Sequence, residues 1–534
     1  MAMLRPKRQT SNTVTVTAPI GGWNAVNQLA AMSPNEAVII DNWFCLPTEL
    51  QSRKGYTFWS NNAVGNIESF ITYNGQSGQI SMFAVADDNG DCNIFDVTNT
   101  QFSGIWDETL WDESDWASAA VVTGLTNARY HFGQMATSGG TFTIAVNGAD
   151  DLLIYDGSTW YKVTSVSSPY AITGVDTSTL IDLVVHHRRV WFVENDSMTC
   201  WYLPTDSIAG TATAYDFGPL FIDGGYVERI ETWTLDAGNG MDDYFVVITS
   251  NGEIAVFSGT NPASSDTWSL NGVYYAGSPV GRNCTMKYGG DVLMLNKDGL
   301  VPLSQWLMSS RVNVKTSITN KIQQRITDAA TTYANNYGWQ IILNPPKNML
   351  FINVPVSETV FEQYVMNTIS GAWSRFTGVN ATCWAFIDNI LYFGQGNQVF
   401  KFWDGPNDNG QVINTDLLPA FSAFGSQSQV KRWTMAKLSM GCDYQFSYSG
   451  QINLNFDLSS SPPQPYNSST TDSGIWDTGT WDNAQWGGNI LPFSRWQMAA
   501  GMGYYGTFRI KTSSLTSDIR YYATDYVFEA GGVL

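Results

Sequence analysis

Between Ile67 and Trp403 the chain keeps alternating short apolar runs with Gly/Asn/Asp turns, which is how antiparallel hairpins are written in sequence. Seven such cores follow one another: QISMFAVADDNGDCNIFDV, TFTIAVNGADDLLIYDGSTWYKV, LIDLVVHHRRVWFVENDSMTCWYL, DYFVVITSNGEIAVFSG, DVLMLNKDGLVPLSQWL, MLFINVPVSETVFEQYVMN and ILYFGQGNQVFKFWDG. Their centres lie roughly 40 to 60 residues apart, enough for a four-stranded sheet each. One such sheet cannot bury both of its faces, whereas sheets stacked face to face around an axis can. The pattern therefore predicts an all-β chain with a β-propeller of six to eight blades, carrying loop insertions, over residues 21–410.

Two segments break this rhythm. In TNKIQQRITDAATTYANN, residues 319–336, Ile322, Ile326, Ala329, Ala330 and Tyr333 recur at helical spacing, which predicts one short amphipathic helix packed on a blade or on another subunit. After FWDGPNDNG the composition shifts toward Ser, Asn and Pro, and runs such as QFSYSGQINLNF, GTFRIKTSS and IRYYATDYVFEA predict a separate antiparallel β-module over residues 411–534. Residues 1–20 read as an N-terminal arm, with Arg5, Lys7 and Arg8 free to reach an acidic neighbour. No apolar run follows that basic start, so it does not read as a secretory signal, and no stretch of 18 apolar residues predicts a membrane span.

One sentence occurs twice: GIWDETLWDESDWAS from Gly104 and GIWDTGTWDNAQWGG from Gly474. Trp106, Trp111 and Trp116 match Trp476, Trp481 and Trp486, always at a step of five. Five residues turn a helix by about 500°, and in a strand i and i+5 face opposite sides, so neither element explains the step. A chain of compact turns does, with each Asp capping the backbone that follows its Trp. Burying one indole removes roughly 200 Å² from water, an upper bound of about 5 kcal/mol. Three per copy pin a loop either to its own domain or to a neighbouring subunit, and aromatic residues of this kind dominate interfaces.

Composition and charge narrow the function. Apolar residues make up 43% of the 534 and charged residues only 14%, with 48 glycines, which suits a turn-rich β protein rather than disorder. Lys plus Arg number 27 against 47 Asp plus Glu, a formal charge of −20, which argues against gripping a phosphate backbone. The same surface suits a conduit past which a polyanion must slide.

Candidate chemistry is sparse. Cys45, Cys92, Cys200, Cys284, Cys383 and Cys442 stand far apart, without metal-ligand spacing, and read as buried thiols of a protein assembled in a reducing cytoplasm. Of His131, His186 and His187, the adjacent pair is expected to face opposite sides of one strand and to pack rather than catalyse. DDNGD at 87–91, YDGSTW at 155–160 and DAGNGMDD at 236–243 read as turns rather than calcium loops or Asp-boxes. No catalytic, cofactor or metal site is expected, and the chain is not read as an enzyme.

Several strings resemble a family of virion proteins from short-tailed bacteriophages, the β-propeller tail nozzle or tail hub of the packaged-DNA-stabilisation type. They are GGWNAVNQLAAMSPNEAVIIDNWF with RKGY at 53–56, TCWYLPTDSIAG, WTLDAGNGMDD, NGEIAVFSGTNP, GSPVGRNCTMKYGGDVLMLNKDGLVPLS and the closing EAGGVL. The resemblance implies a hexameric ring in the tail that extends the DNA channel, meets the head-to-tail adaptor and the tail fibre or spike proteins, and passes double-stranded DNA without reading its sequence. Six copies would carry a formal charge of about −120. A carbohydrate-binding, receptor-recognising propeller is the alternative, and a glycan-cleaving propeller a more distant one. Trp106, Trp111, Trp116, Trp476, Trp481, Trp486, Arg5, Lys7 and Arg8 are the expected interface residues.

Replacing Trp476, Trp481 and Trp486 together with Ala is expected to abolish ring formation while leaving a folded chain, as read by electron microscopy and circular dichroism. Normal rings from this variant would assign the repeated sentence to folding within one subunit.

Overall fold

The computed structural model describes residues 11–76, 78–100, 119–236, 241–308, 317–460, 465–467 and 490–533. The Trp106–Trp116 and Trp476–Trp486 sentences and the Arg5, Lys7 and Arg8 arm lie outside the described residues.

Seven antiparallel sheets follow one another along the chain. Blade one runs from Asn66–Asn74 to Val122–Leu125, blade two from His131–Thr137 to Trp160–Val163, and blade three from Leu180–His186 to Thr213–Asp216. Blade four runs from Val227–Asp236 to Trp268–Tyr275, the three-stranded blade five from Thr285–Tyr288 to Gly299–Pro302, and blade six from Gln340–Asn344 to Trp373–Thr377. Blade seven takes Cys383–Ile387, Ile390–Gln395 and Gln398–Phe402 from late in the chain and its outer strand, Tyr56–Ser60, from the beginning. Each blade's inner strand touches the next blade, and blade seven touches blade one, so the ring is a closed seven-bladed propeller.

The apolar runs are nearly unbroken because every blade is buried on both faces. In Ile80–Asp88, Phe83 and Val85 pack toward blade two, while Met82, Ala84 and Ala86 pack toward blade seven. Seven buried clusters fill the seven wedges between neighbouring blades. The expected helix is a 3-10 turn, Asn320–Ile322, running into Gln323–Tyr333. Its Ile322, Ile326, Ala329 and Ala330 are buried in the wedge between the short fifth blade and the sixth. A second helix, Leu303–Met308, was not legible in the sequence.

The C-terminal module is two packed sheets, and strands from the first 52 residues take part in both, so the boundary at 20 needs correction. Glu36–Asp41 lies between the last strand of blade six, which it meets at Asp41 and Arg375, and Ile413–Pro419 of the module. One ten-stranded sheet thus runs from blade six through Gly506–Ser514 to Ser447–Leu454 and Tyr466–Asn467. The second sheet orders Leu491–Gly503, Gln429–Cys442, Ile519–Val533, Leu50–Ser52 and Trp43–Cys45, with Asn12–Thr17 also paired to Ile519–Val533. Part of the supposed arm is therefore a strand, and residues 36–52 belong to sheets shared with the module rather than to the propeller alone. Trp433, Ala436, Leu438 and Met440 of the second sheet pack against Leu417, Tyr448, Phe508 and Ile510 of the first.

A buried polar hub locks the seam. Arg53, 2% exposed, donates to both Asp408 oxygens at 2.6 and 2.5 Å, to Asn42 Oδ1 at 2.8 Å and to the Thr377 carbonyl at 3.0 Å. Asn42, at φ 59°, also donates to Thr377 Oγ1 and to the Asn414 carbonyl. Gly55 tolerates no side chain, since a Cβ there would lie 1.6 Å from the Asn407 carbonyl oxygen. The RKGY string thus ties the start of the chain to blade six, to the linker after blade seven and to the module.

Arg53→Ala strands a buried carboxylate and is expected to cost about 3–5 kcal/mol in chemical denaturation. Arg188→Ala breaks an ion pair with Asp206 whose side chains are 71% and 43% exposed, and is expected to change stability by less than about 1 kcal/mol. Equal effects from the two would remove the hub from the account.

Candidate functional site

The inner strands bring a charged network to the propeller axis. Arg229 of blade four donates through Nη1 to Asp182 Oδ1 of blade three at 2.8 Å and to His131 Nδ1 of blade two at 2.9 Å. Its Nε donates to Thr285 Oγ1 of blade five at 3.2 Å, and its Nη2 lies 3.8 Å from Glu231. Glu231 also meets Lys287 at 3.5 Å. On the other side, Arg129 pairs with Glu68 at 2.9 Å and lies 4.1 Å above the Tyr337 ring, whose hydroxyl donates to the Glu68 carbonyl. A cavity of about 180 Å³ remains among Glu68, Tyr130, His131, Arg229, Tyr337 and Gln340. A second cavity of about 320 Å³ adjoins it among Asn127, Arg129, His131, Glu228, Arg282 and Tyr337, at the lower end of ligand-pocket volumes.

Protonation follows from this packing. An arginine donating to His131 Nδ1 requires that nitrogen to be an acceptor, hence a neutral ring. Burial, then Arg229 and Arg282, hold His131 well below its ordinary range, so its 3.5 Å approach to Asp182 is not an ion pair. Burial pushes the Asp182 carboxyl up to about 6 against the pull of Arg229. Glu68, Asp182 and Glu231 each already hold a cation, so the axis is a set of closed ion pairs joining blades. No cluster with metal-ligand composition occurs among the described residues.

The other singled-out residues fall as follows. The strand ends at His186, and His187 and Arg188, at φ 46° and 59°, form the turn after it. The two imidazoles therefore do not face opposite sides; their rings touch edge to face at 4.3 Å. His186 is buried against Phe245, and burial followed by His187 holds it down to about 4. Asp87 accepts from the Gly90 amide, and Asp156 from the amides of Ser158 and Thr159, so both acids cap turns. The third acidic string lies partly outside the described residues. All six cysteines are buried and none forms a disulfide. Burial pushes the thiols of Cys45, Cys284 and Cys383 up to about 12.

One feature escaped the sequence because it exists only once the blades are aligned. The inner strands of a propeller run the same way along its axis, so all turns between second and third strands share one face. Those turns carry Asp88 and Asp91, Asp150 and Asp151, Glu194 and Asp196, Asp298, and Glu358, with Lys297 as their one cation among the described residues. The turns between third and fourth strands, at the opposite face, carry Asp156, Asp206 and Asp266, so acidic turns line both faces of the propeller.

The buried groups set opposite slopes of stability against pH. Asp182 binds its proton more tightly folded than unfolded, so its contribution is full below about 3.8 and is lost as pH rises through about 6. His186 binds its proton less tightly folded, so its contribution grows as pH rises from about 4 to 6.5. His186→Gln is therefore expected to make the thermal midpoint fall more steeply, relative to the parent, between pH 4 and 6.5. Parallel curves for the two would contradict the burial of a neutral imidazole.

No family model matches the chain, and no curated protein matches it. Among solved structures, BBS1N in complex with ARL6DN is similar over 67% of this chain and 99% of its own, at 10% identity and TM-score 0.38. The Cps50 (Swd1) β-propeller domain of Myceliophteria thermophila covers 66% and 99% at 9% identity and TM-score 0.36. YCF48 bound to D1 peptide covers 71% and 99% at 10% identity and TM-score 0.33. Likeness at this level adds nothing to an architecture that stands on strand pairing and ring closure.

Proposed function

We propose that this chain is a virion structural protein of a tailed phage. It forms one copy of an oligomeric, hexameric tail nozzle that extends the DNA channel, retains the packaged genome and lets it leave on infection. The observation that carries the reading is the sheet continuous from blade six into the module, sealed by the Arg53 hub. Load on the module passes into the propeller through backbone hydrogen bonds, as a section of tube requires, whereas a hinged binding module would need a loose linker. The strings quoted from the sequence lend independent support.

The acidic turns fit the same role. Fixed carboxylates offer DNA no counterion-releasing contact, so a duplex passing such a face is repelled rather than held. In this reading the DNA runs along the axis of the ring of copies, and each propeller is a wall element. Assembly takes place in the host cytoplasm, and the mature location is the virion tail, between the adaptor and the fibre or spike proteins.

The purified chain is expected to sediment as a ring of about six copies, visible by electron microscopy, with no retardation of duplex DNA even at low salt. A chain that stays monomeric at every concentration, and binds a glycan saturably or cleaves it, would overturn the proposal in favour of a carbohydrate-directed propeller.

A further inference from the structure

The second sheet of the module is open at both ends. At one level its strands present Met498, Met435, Val527 and Thr13 in order, and two residues further along Trp496, Lys437, Asp525 and Thr15. Among the described residues, Leu491–Gly503 pairs only with Gln429–Cys442, and Asn12–Thr17 pairs only with Ile519–Val533. Each outermost strand therefore has one side on which its amides and carbonyls meet no other described strand.

Only the Asn12–Thr17 edge lacks the usual protection, since Leu491–Gly503 carries Pro492, Arg495 and a register shift opposite Trp433 and Met435. Asn12–Thr17 reads NTVTVT, a strongly strand-forming run without charge, proline or bulge, and it is exposed along nearly its whole length. The opposite edge displays Trp496 at 44%, Met498 at 80% and Met502 at 70% exposure, with Met435 at 41% on the next strand. Together these four side chains leave roughly 500 Å² of apolar surface exposed, at the upper end of what monomers tolerate and over half of one partner's share of a standard interface.

The two ends also differ in charge. In a chain of net charge −20, the strands Leu491–Gly503 and Gln429–Cys442 carry Lys431, Arg432, Lys437 and Arg495 and no acid. Of these, Lys431 is buried on the Gln429 and Tyr504 carbonyls and Lys437 lies 3.7 Å from Asp525 of the same subunit, beside Asn12–Thr17, which leaves Arg432 and Arg495 as the cations of that end. One end is apolar and cationic, the other an uncharged strand, and both belong to one sheet.

We propose that the occupant of each edge is a second copy of this chain. The Asn12–Thr17 edge of one subunit adds to the Leu491–Gly503 edge of the next, head to tail, so that the module sheets join into a β-ring. Such a heterologous contact, repeated with a closing rotation, generates a cyclic oligomer. The inference rests on the ring reading given above and names the surface that builds it.

Two variants test it. Met498→Lys/Met502→Lys damages one edge and Val14→Lys the other, at exposed positions, with circular dichroism and thermal midpoint as checks of folding. Each alone is expected to lose rings, its apparent association constant falling at least tenfold. An equimolar mixture of the two is expected to give a one-to-one dimer, because each variant keeps the edge the other has lost. Should the lysine pair perturb folding, Met498→Gln/Met502→Gln replaces it in the same mixing experiment. Rings that persist in both variants, or variants that fail to complement, would overturn edge pairing while leaving the ring itself standing. A parent chain that is monomeric throughout would instead remove the ring.

Discussion

A six-residue strand from near the start of the chain, Glu36–Asp41, sits hydrogen-bonded between the last strand of blade six and the first strand of the module. Almost everything else about the molecule depends on that insertion. It turns two sheets into one, and Asp41 on it takes Arg375 in a two-pronged pair at 2.8 and 2.6 Å, where the propeller ends and the module begins. A few residues further on, Arg53 repeats the bonding pattern in a drier setting, and Tyr56–Ser60 closes the ring against blade seven. One short N-terminal stretch thus completes the module, seals the seam and closes the propeller, three tasks that a loosely tethered domain would not share.

The wedges explain why the resulting body is stiff. Each blade presents alternate side chains to two neighbours, so no sheet can tilt without opening two buried clusters at once. At the axis, where the wedges taper and bulky apolar side chains no longer fit, the Arg229–Asp182 and Lys287–Glu231 pairs substitute ion pairs between blades for apolar contact. Burial of a carboxylate there is costly, as the raised Asp182 shows, and its pairing with Arg229 offsets that cost. The device serves geometry more than chemistry.

How much of this was legible in the sequence follows from the range of the interactions. The seven hairpins were legible because a hairpin is local: its alternation and its turn lie within some twenty residues. The helix was legible for the same reason, through Ile322, Ile326 and Ala329. Glu36–Asp41 and Asn12–Thr17 were misassigned because their partners lie hundreds of residues away, and a two-residue period says that a segment is a strand without saying whose neighbour it is. His187 was misread because a strand's alternation was extended one residue into a turn with left-handed backbone. The open edges of the module sheet are a property of the assembled sheets, so no single segment announces them. The tryptophan sentences, conspicuous in the sequence, lie outside the described residues, and their role rests on the sequence alone.

The central claim is that propeller and module are one mechanical body, and native-state amide hydrogen exchange across a denaturant series tests it most directly. The account predicts that amides in Glu36–Asp41, Trp373–Thr377 and Ile413–Pro419 open together, with the same large denaturant dependence as the blade cores. Module strands that exchange through a separate, low-energy opening while the blades stay protected would show two bodies joined by a hinge, and would contradict it.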